Sequence, residues 1–181
     1  EIRKSEMVLK NQLNSPIQAD LFLELMNSGK NILSQGISGA ETAAENFKQA
    51  TELSPGDLDA HLNLANALLL LGRIDEVLSQ TSEALKLNSN AAAAHYISGC
   101  AYVRKGQFEE AVQSLQIAKQ IDHTINAVSY QLGRAHQGLG QWQLAASEFE
   151  EVVQFDPGHP SAYYNLSQTY LRLDRREDAE Q

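Results

Sequence analysis

The sequence is poor in cysteine and in long apolar runs, and each shortage excludes a class of protein. Cys100 is alone among 181 residues, so the chain holds no intramolecular disulfide and no zinc site built on several cysteines. The longest purely aliphatic stretch, from Ala67 to Leu71, ends at Gly72 and is far shorter than the roughly 18 residues of a membrane-spanning helix. We therefore predict no membrane segment.

Positive charge is also scarce. The chain has 14 Lys and Arg residues against 23 Asp and Glu residues, for a formal net charge of −9. Because contact with a phosphate backbone relies on clustered Lys and Arg, nucleic acid is a disfavoured partner. The apolar share of 43% is close to the average for globular proteins, which predicts a buried core. Glu1 is not followed by a basic and then apolar leader, so the sequence indicates no compartment.

A regular period is what the sequence does contain. Gly72, Gly106 and Gly140 are spaced 34 residues apart, and segments 58–91, 92–125 and 126–159 keep that register. Small residues recur at the eighth place of each copy, as Ala65, Gly99, Gly133 and Ser167. Apart from one valine they also recur at the twentieth place, as Val77, Ala111, Ala145 and Ala179. Large apolar residues at the seventeenth place are Ile74, Phe108 and Trp142, with Arg176 interrupting the column.

This pattern resembles the tetratricopeptide repeat family, which has Leu-Gly near places seven and eight, Ala at twenty, an aromatic residue at twenty-four and Pro near thirty-two. The copy at 126–159 matches it best, through Leu132-Gly133, Ala145, Phe149 and Pro157. The two preceding copies depart from it: Ser89 and His123 replace the proline, and Thr81 and Leu115 replace the aromatic residue.

The same register extends to both ends of the chain. Ala43, Phe47, Ala50 and Pro55 have the family spacing, and Gly29 and Gly36 repeat an interval of seven residues, which predicts a first repeat with a turn two residues longer. We therefore predict an N-terminal helix (1–15), repeats at 16–57, 58–91, 92–125 and 126–159, and a partial repeat at 160–181. We expect Gln181 to lie in the second helix of that repeat and a longer protein to continue beyond it.

The predicted fold class is all-α. Apolar residues recur at helical spacing on both sides of each glycine turn, which predicts pairs of antiparallel helices. The resemblance implies that these hairpins stack into a right-handed superhelical solenoid with a concave and a convex face.

Catalytic and metal-binding constellations are missing from the pattern, so we predict no enzyme and no cofactor. His61 and His95 share the fourth place of adjacent repeats, but helices that pack at about 8 to 10 Å do not bring two rings within 2.1 Å of one zinc ion. Packing is the preferred interpretation. Glu109-Glu110 and Glu150-Glu151 are neighbours whose side chains diverge on a helix, and they indicate a solvated face.

The resemblance implies a ligand groove lined by the first helix of each hairpin. In the family the groove is lined mainly through places two, five, nine, twelve and thirteen. Carried over by place, the candidate groove residues are Asn66, Tyr96, Arg104, Tyr130, Arg134, Tyr164, Gln168 and Arg172. The amides that recur at place six, Asn63, Gln131 and Asn165, are added to them. Tyrosine offers apolar contact with a polar tip, arginine grips carboxylates, and amides pair with an extended backbone. An alternative interpretation is that the tyrosines only pack adjacent helices together.

Three functions are compatible with such an array. The favoured one is a scaffold that binds an extended, acidic peptide or partner segment in the groove, since basic residues concentrate on the first helices and acidic residues on the second. The alternative is a structural array that forms a homo-oligomer or packs on another domain of a longer chain. An RNA-binding helical repeat is a third, which the acidity of the chain disfavours.

Overall fold

Helices make up the whole of the regular structure within the described ranges. The computed structural model describes residues 16–124 and 127–180, with side chains as far as Asp174. The predicted N-terminal helix lies outside these residues. The helices are α1 (Pro16–Leu33), α2 (Ala40–Leu53), α3 (Leu58–Leu71), α4 (Ile74–Leu87), α5 (Ala92–Lys105), α6 (Phe108–Ile121), α7 (Ala127–Gly138), α8 (Trp142–Phe155) and α9 (Pro160–Glu180), with a short 3-10 helix at Ile37–Gly39. None of these helices is both long and apolar enough to cross a bilayer.

The helices belong to two compact units, Glu1–Asn88 and Ser89–Gln181. In the first unit α1 packs on α2, α2 on α3, and α3 on α4. In the second unit the same succession runs from α5 to α9. Within each unit every helix thus packs on its neighbours in sequence, which confirms the predicted all-α array of helical hairpins.

Glycine ends the first helix of three hairpins. Gly72, Gly106 and Gly140 have φ angles of 74°, 77° and 67°, in the left-handed region that other residues rarely adopt. The backbone N–H of Gly72 bonds to the carbonyl groups of Leu68 and Leu69, which closes the last turn of α3. The 34-residue period of these glycines is therefore the period at which the chain reverses direction.

Close contact between the two helices of a hairpin explains the small residues at place eight. A Cβ atom placed on Gly133 would lie 2.6 Å from Cε1 of Phe149, and one on Gly29 would lie 2.6 Å from Cε1 of Phe47. Both rings are fully buried. Gly29 is thus the equivalent of Gly133. Phe47 follows Gly29 after two more residues than Phe149 follows Gly133, which agrees with the longer turn predicted from the sequence.

The C-terminal helix differs from the prediction. A turn followed by a second helix was expected after residue 173, whereas α9 continues without interruption from Pro160 to Glu180. Asp174 stands at the place where Gly72, Gly106 and Gly140 adopt positive φ. Because no glycine is present to reverse the chain at low cost, the helix continues.

Candidate functional site

The first helices of the second unit, α5, α7 and α9, contact one another in succession, α5 on α7 and α7 on α9. The structure places most of the predicted groove residues on these three helices. They are Tyr96 and Arg104 on α5, Tyr130, Gln131 and Arg134 on α7, and Tyr164, Asn165, Gln168 and Arg172 on α9.

Tyr96 is largely a packing residue. Its ring is half-buried against the apolar cluster that includes Val103, Leu115 and Leu132. Burial raises the pKa of Tyr96 far above its ordinary value, and the hydroxyl donates to the sulfur of Cys100. The alternative interpretation of the tyrosine column, that it packs adjacent helices, describes the ring of Tyr96 well.

Cys100 lies beside Tyr96 and is itself buried. Burial raises the pKa of its thiol, while the hydrogen bond from Tyr96 and the positive charges of Arg104 and Arg134 oppose that rise. Both guanidinium groups therefore act electrostatically on the thiol of Cys100, although Arg104 lies on α5 and Arg134 on α7.

Tyr130 is fixed on three sides. Its ring meets Phe149 edge-on at a centroid distance of 5.9 Å and lies 5.0 Å from the ring of His159. Its hydroxyl oxygen accepts a hydrogen bond from Nδ2 of Asn165 at 3.1 Å. Because the oxygen is the acceptor in that bond, the hydroxyl group of Tyr130 does not use its proton in it.

A hydrogen-bond network joins α7 to α9. Nε2 of Gln137 donates to the carbonyl oxygen of Asn165 at 3.1 Å and to Oγ1 of Thr169 at 2.8 Å, and Thr169 donates to the same carbonyl group at 2.7 Å. Sequence reasoning missed Gln137, although it stands at place twelve, one of the places that line the groove in the family. The network holds the two helices, and with them Tyr130 and Asn165, in a fixed relation.

The remaining groove candidates of this unit range from half-buried, as Gln131 and Arg134 are, to exposed. Tyr164 is 66% exposed, and Gln168 is exposed as well. The guanidinium carbon of Arg172 lies 6.0 Å from the ring centroid of Trp142, within the range of a cation–π interaction. Arg134 donates to Oε1 of Gln131 at 3.2 Å on its own helix.

Asn63 and Asn66 lie on α3 in the first unit. Nδ2 of Asn63 donates to the carbonyl oxygen of Asp59 at 2.8 Å, one helical turn earlier. The side chain of Asn66 is exposed.

The two histidines at place four anchor loops. Nε2 of His61 lies 3.0 Å from the carbonyl oxygen of Pro55, and its Nδ1 lies 2.8 Å from Oε1 of Gln80. In the second unit Nε2 of His95 makes the same contact with the carbonyl oxygen of Ser89 at 3.0 Å. A carbonyl oxygen only accepts, so in both cases Nε2 is the donor. Among the described residues no group of three or more His, Cys, Asp or Glu side chains is arranged to hold a metal ion.

Charge is divided between the two sets of helices in the second unit. The first helices carry Arg104, Lys105, Arg134 and Arg172, with Asp174 as their acidic residue among the described side chains. The second helices carry Glu109, Glu110, Glu148, Glu150 and Glu151, with Lys119 as their basic residue. That lysine is held by two of them, through Oε2 of Glu148 at 3.0 Å and Oε2 of Glu151 at 2.6 Å. The described side chains of the first helices therefore carry a net positive charge in an acidic protein.

Comparison with known proteins agrees with this architecture. Two family models described as tetratricopeptide repeat match the chain, one over residues 40–80 and 137–181 and the other over residues 79–123. No curated protein sequence matches it.

Solved structures of similar fold include MamA 41-end from Desulfovibrio magneticus RS-1, with 22% identity, a TM-score of 0.76 and coverage of 89% of this chain and 90% of that one. TTC0263, a thermophilic TPR protein in Thermus thermophilus, has 20% identity, a TM-score of 0.71 and coverage of 87% and 86%. YrrB, described as a TPR protein with an unusual peptide-binding site, has 24% identity, a TM-score of 0.68 and coverage of 97% and 86%. From its 34-residue period, its stacked hairpins and these matches, the chain belongs to the tetratricopeptide repeat family, whose members are generally non-enzymatic scaffolds for protein–protein interaction.

Proposed function

We propose that the second unit binds an extended, acidic segment of a partner protein on the surface formed by α5, α7 and α9. The observation that carries this proposal is the division of charge among the described side chains: the first helices carry four basic residues and one acidic residue, while the second helices carry five acidic residues and one basic residue. Complementary charge speeds the encounter with a partner and selects among partners. A ligand with carboxylate groups fits this surface better than a neutral or basic one.

The polar groups on the surface suit such a ligand. Arg104, Arg134 and Arg172 offer planar guanidinium groups, which bind carboxylates through two parallel hydrogen bonds. Asn165 fixes the hydroxyl oxygen of Tyr130 as an acceptor, so the hydroxyl proton is left to point toward a carbonyl or carboxylate oxygen. The exposed ring of Tyr164 adds apolar contact.

A protein of similar fold supports the proposal. YrrB, of similar fold, is described as having an unusual peptide-binding site. Stacked helical hairpins thus provide a surface on which a peptide can lie.

A positional-scanning library of fluorescent ten-residue peptides tests the proposal, with each position occupied in turn by Asp, Asn, Glu, Gln or Lys. We expect the acidic members to bind in preference to their amide counterparts, and binding to weaken as salt is added. Replacing Arg134 by Gln should reduce the affinity for acidic members by about tenfold, which corresponds to one charged hydrogen bond.

Lys119→Gln is the matched control. It also removes one positive charge from the second unit, but on α6, where Lys119 faces Glu148 and Glu151. Its affinity for acidic peptides should equal that of the parent chain. Equal weakening by the two variants, or the absence of a preference for acidic peptides, would refute the proposal.

Tyr130 requires a conservative variant. Its contacts with Phe149, His159 and Asn165 mean that alanine would disturb the packing of α7 on α8 and α9. Tyr130→Phe keeps the ring and removes only the hydroxyl. A reduced affinity with an unchanged melting temperature would place that hydroxyl in the binding surface.

A further inference from the structure

The hydroxyl group of Tyr130 keeps a proton to donate, because Asn165 is oriented by a second contact. The side-chain nitrogen of Asn165 donates to the carbonyl oxygen of Ser161 at 2.9 Å and to the hydroxyl oxygen of Tyr130 at 3.1 Å. A carbonyl oxygen only accepts, so the amide group of Asn165 cannot be turned the other way round. Tyr130 is therefore the acceptor in this bond, and no described residue accepts its own proton.

His159, in the loop before α9, is a second donor without an acceptor. Its Nδ1 lies 3.2 Å from the backbone nitrogen of Ala162. A backbone N–H only donates, so Nδ1 accepts, and the ring is the neutral tautomer that carries its proton on Nε2. Within the described ranges no group accepts that proton. His159 thus anchors the first turn of α9 through one nitrogen and can donate to a ligand through the other.

The rings of Tyr130 and His159 are direct neighbours. Their centroids lie 5.0 Å apart and their planes are tilted by 33° to each other. Both residues are half-buried, and a hydrogen bond to a charged group is stronger where water is partly excluded. Arg134 follows Tyr130 by four residues on α7, so it belongs to the same face of that helix. Two unused donors therefore lie side by side, one helical turn from a positive charge.

A carboxylate group is the ligand that fits these donors. It has two oxygens that only accept, so it can receive a hydrogen bond from each ring, whereas an amide places its own N–H groups against one of them. We propose that Nε2 of His159 and the hydroxyl group of Tyr130 together bind one carboxylate side chain of the ligand. This site rests on the proposed binding of an acidic segment to α5, α7 and α9, and it adds a contact from a loop outside those helices.

Fluorescence anisotropy of the full chain with two ten-residue peptides tests the site. One is the acidic peptide of the library that binds best, and in the other Asn or Gln replaces its acidic residue. Both end in an amide, so only a side chain can supply the carboxylate. His159→Asn should weaken binding of the acidic peptide about fivefold, because asparagine can still accept from the N–H of Ala162 but lacks the imidazole donor. Binding of the amide peptide should change less than about twofold.

A double-variant cycle determines whether the two rings bind the same carboxylate. Tyr130→Phe alone should also weaken binding of the acidic peptide about fivefold, and two independent contacts would together lose about 25-fold. Because the loss of one donor lets a shared carboxylate move away from the other, the combined variant should lose about tenfold or less. His123→Asn is the matched control, since it makes the same exchange at an exposed position in the loop before α7, and it should leave the affinity unchanged.

NMR of the imidazole nitrogens tests the contact without any substitution. The free chain should show His159 as the tautomer protonated on Nε2, and the acidic peptide should shift the Nε2 resonance more than the amide peptide does.

Three results would overturn the site and leave the proposed function intact, provided that acidic peptides are still preferred. They are full affinity in His159→Asn, independent losses in the combined variant, and an Nε2 resonance that the acidic peptide does not move. If the parent chain shows no preference for acidic peptides, the proposed function fails and the site fails with it.

Discussion

Replacing Gly133 by alanine places a methyl group where the ring of Phe149 already lies. The new Cβ atom would stand 2.6 Å from Cε1 and 2.8 Å from both Cδ1 and Cζ of that ring. The ring is fully buried and meets Tyr130 edge-on, so it cannot swing aside without moving a second side chain. We therefore expect α7 and α8 to separate slightly, at the expense of the core between them.

Two opposing effects determine the size of the change. Overpacking of this kind costs about 1 to 3 kcal/mol. Alanine in place of glycine inside a helix favours folding by about 1 kcal/mol. The free energy of unfolding of Gly133→Ala should thus fall by about 1 kcal/mol, which lowers the melting temperature of a chain of this size by about 3 °C. Gly133→Leu should lose about 3 kcal/mol, since it inserts three further carbon atoms.

Urea denaturation followed by circular dichroism measures these differences in stability. Substitutions at two other glycines serve as controls. No atom lies within 4 Å of a Cβ placed on Gly56, whose φ is ordinary, so Gly56→Ala should change stability by less than about 0.5 kcal/mol. Gly106 also has no neighbour there, but its φ of 77° should make Gly106→Ala cost about 1 to 2 kcal/mol.

Introducing Gly133→Ala into the Phe149→Ala variant separates the steric conflict with the ring from other effects of the substitution on stability. With the ring removed, the methyl group of Gly133→Ala enters vacated space, and only the gain in helix propensity remains. The substitution should then stabilise the chain by up to about 1 kcal/mol. The reasoning is refuted if Gly133→Ala has the same effect in both backgrounds, or if it stabilises the parent chain.

Three further predictions concern other parts of the molecule. The hydrogen bond from Arg73 holds the pKa of Glu76 below its ordinary value of 4.5, so an NMR titration should show that pKa rising in Arg73→Gln. A lowered pKa in the folded chain stabilises it above the ordinary pKa, and the stability difference between parent and variant should shrink as pH falls below about 4. Gln137→Leu removes both bonds from α7 to α9 and should cost about 1 to 2 kcal/mol in urea denaturation, whereas Gln143→Leu, at an exposed position, should cost less than about 0.5 kcal/mol. Burial raises the pKa of Cys100, so iodoacetamide at pH 8 should alkylate the native chain at least about tenfold more slowly than the urea-unfolded chain; equal rates would show that the thiol is accessible.

The sequence predicts the turns well because few residues can make them. Positive φ is costly for any residue with a Cβ atom, so the recurrence of Gly72, Gly106 and Gly140 marks where the chain reverses. Close packing is predictable for a similar reason, since a ring at place twenty-four leaves room only for a small residue at place eight. The absence of glycine at Asp174 carried the same information, and applying the rule there predicts the continuous α9 that the structure shows.

The candidate surface is less predictable, because the environment of a place depends on neighbours in space. Tyr96, Tyr130 and Tyr164 share place five, yet the first packs on the core, the second lies against His159 and the third is exposed. His159 comes from the loop before α9, and no periodic pattern predicts a contact with it. Gln137 was missed because a single glutamine resembles any solvated amide until the backbone carbonyl that it meets is known.

The contact between Arg172 and Trp142 should make the intrinsic tryptophan fluorescence of the protein sensitive to events at α9. Trp142 is the single tryptophan of the chain, so its emission comes from one place in the fold. The cation that lies 6.0 Å from its ring belongs to α9 and to the surface where we place the acidic ligand. A carboxylate that draws Arg172 away should change the intensity of that emission without any added dye. Detachment of α9 from α8 should instead shift the emission to longer wavelength as water reaches the indole, so one spectrum distinguishes ligand capture from loosening of the terminal helix.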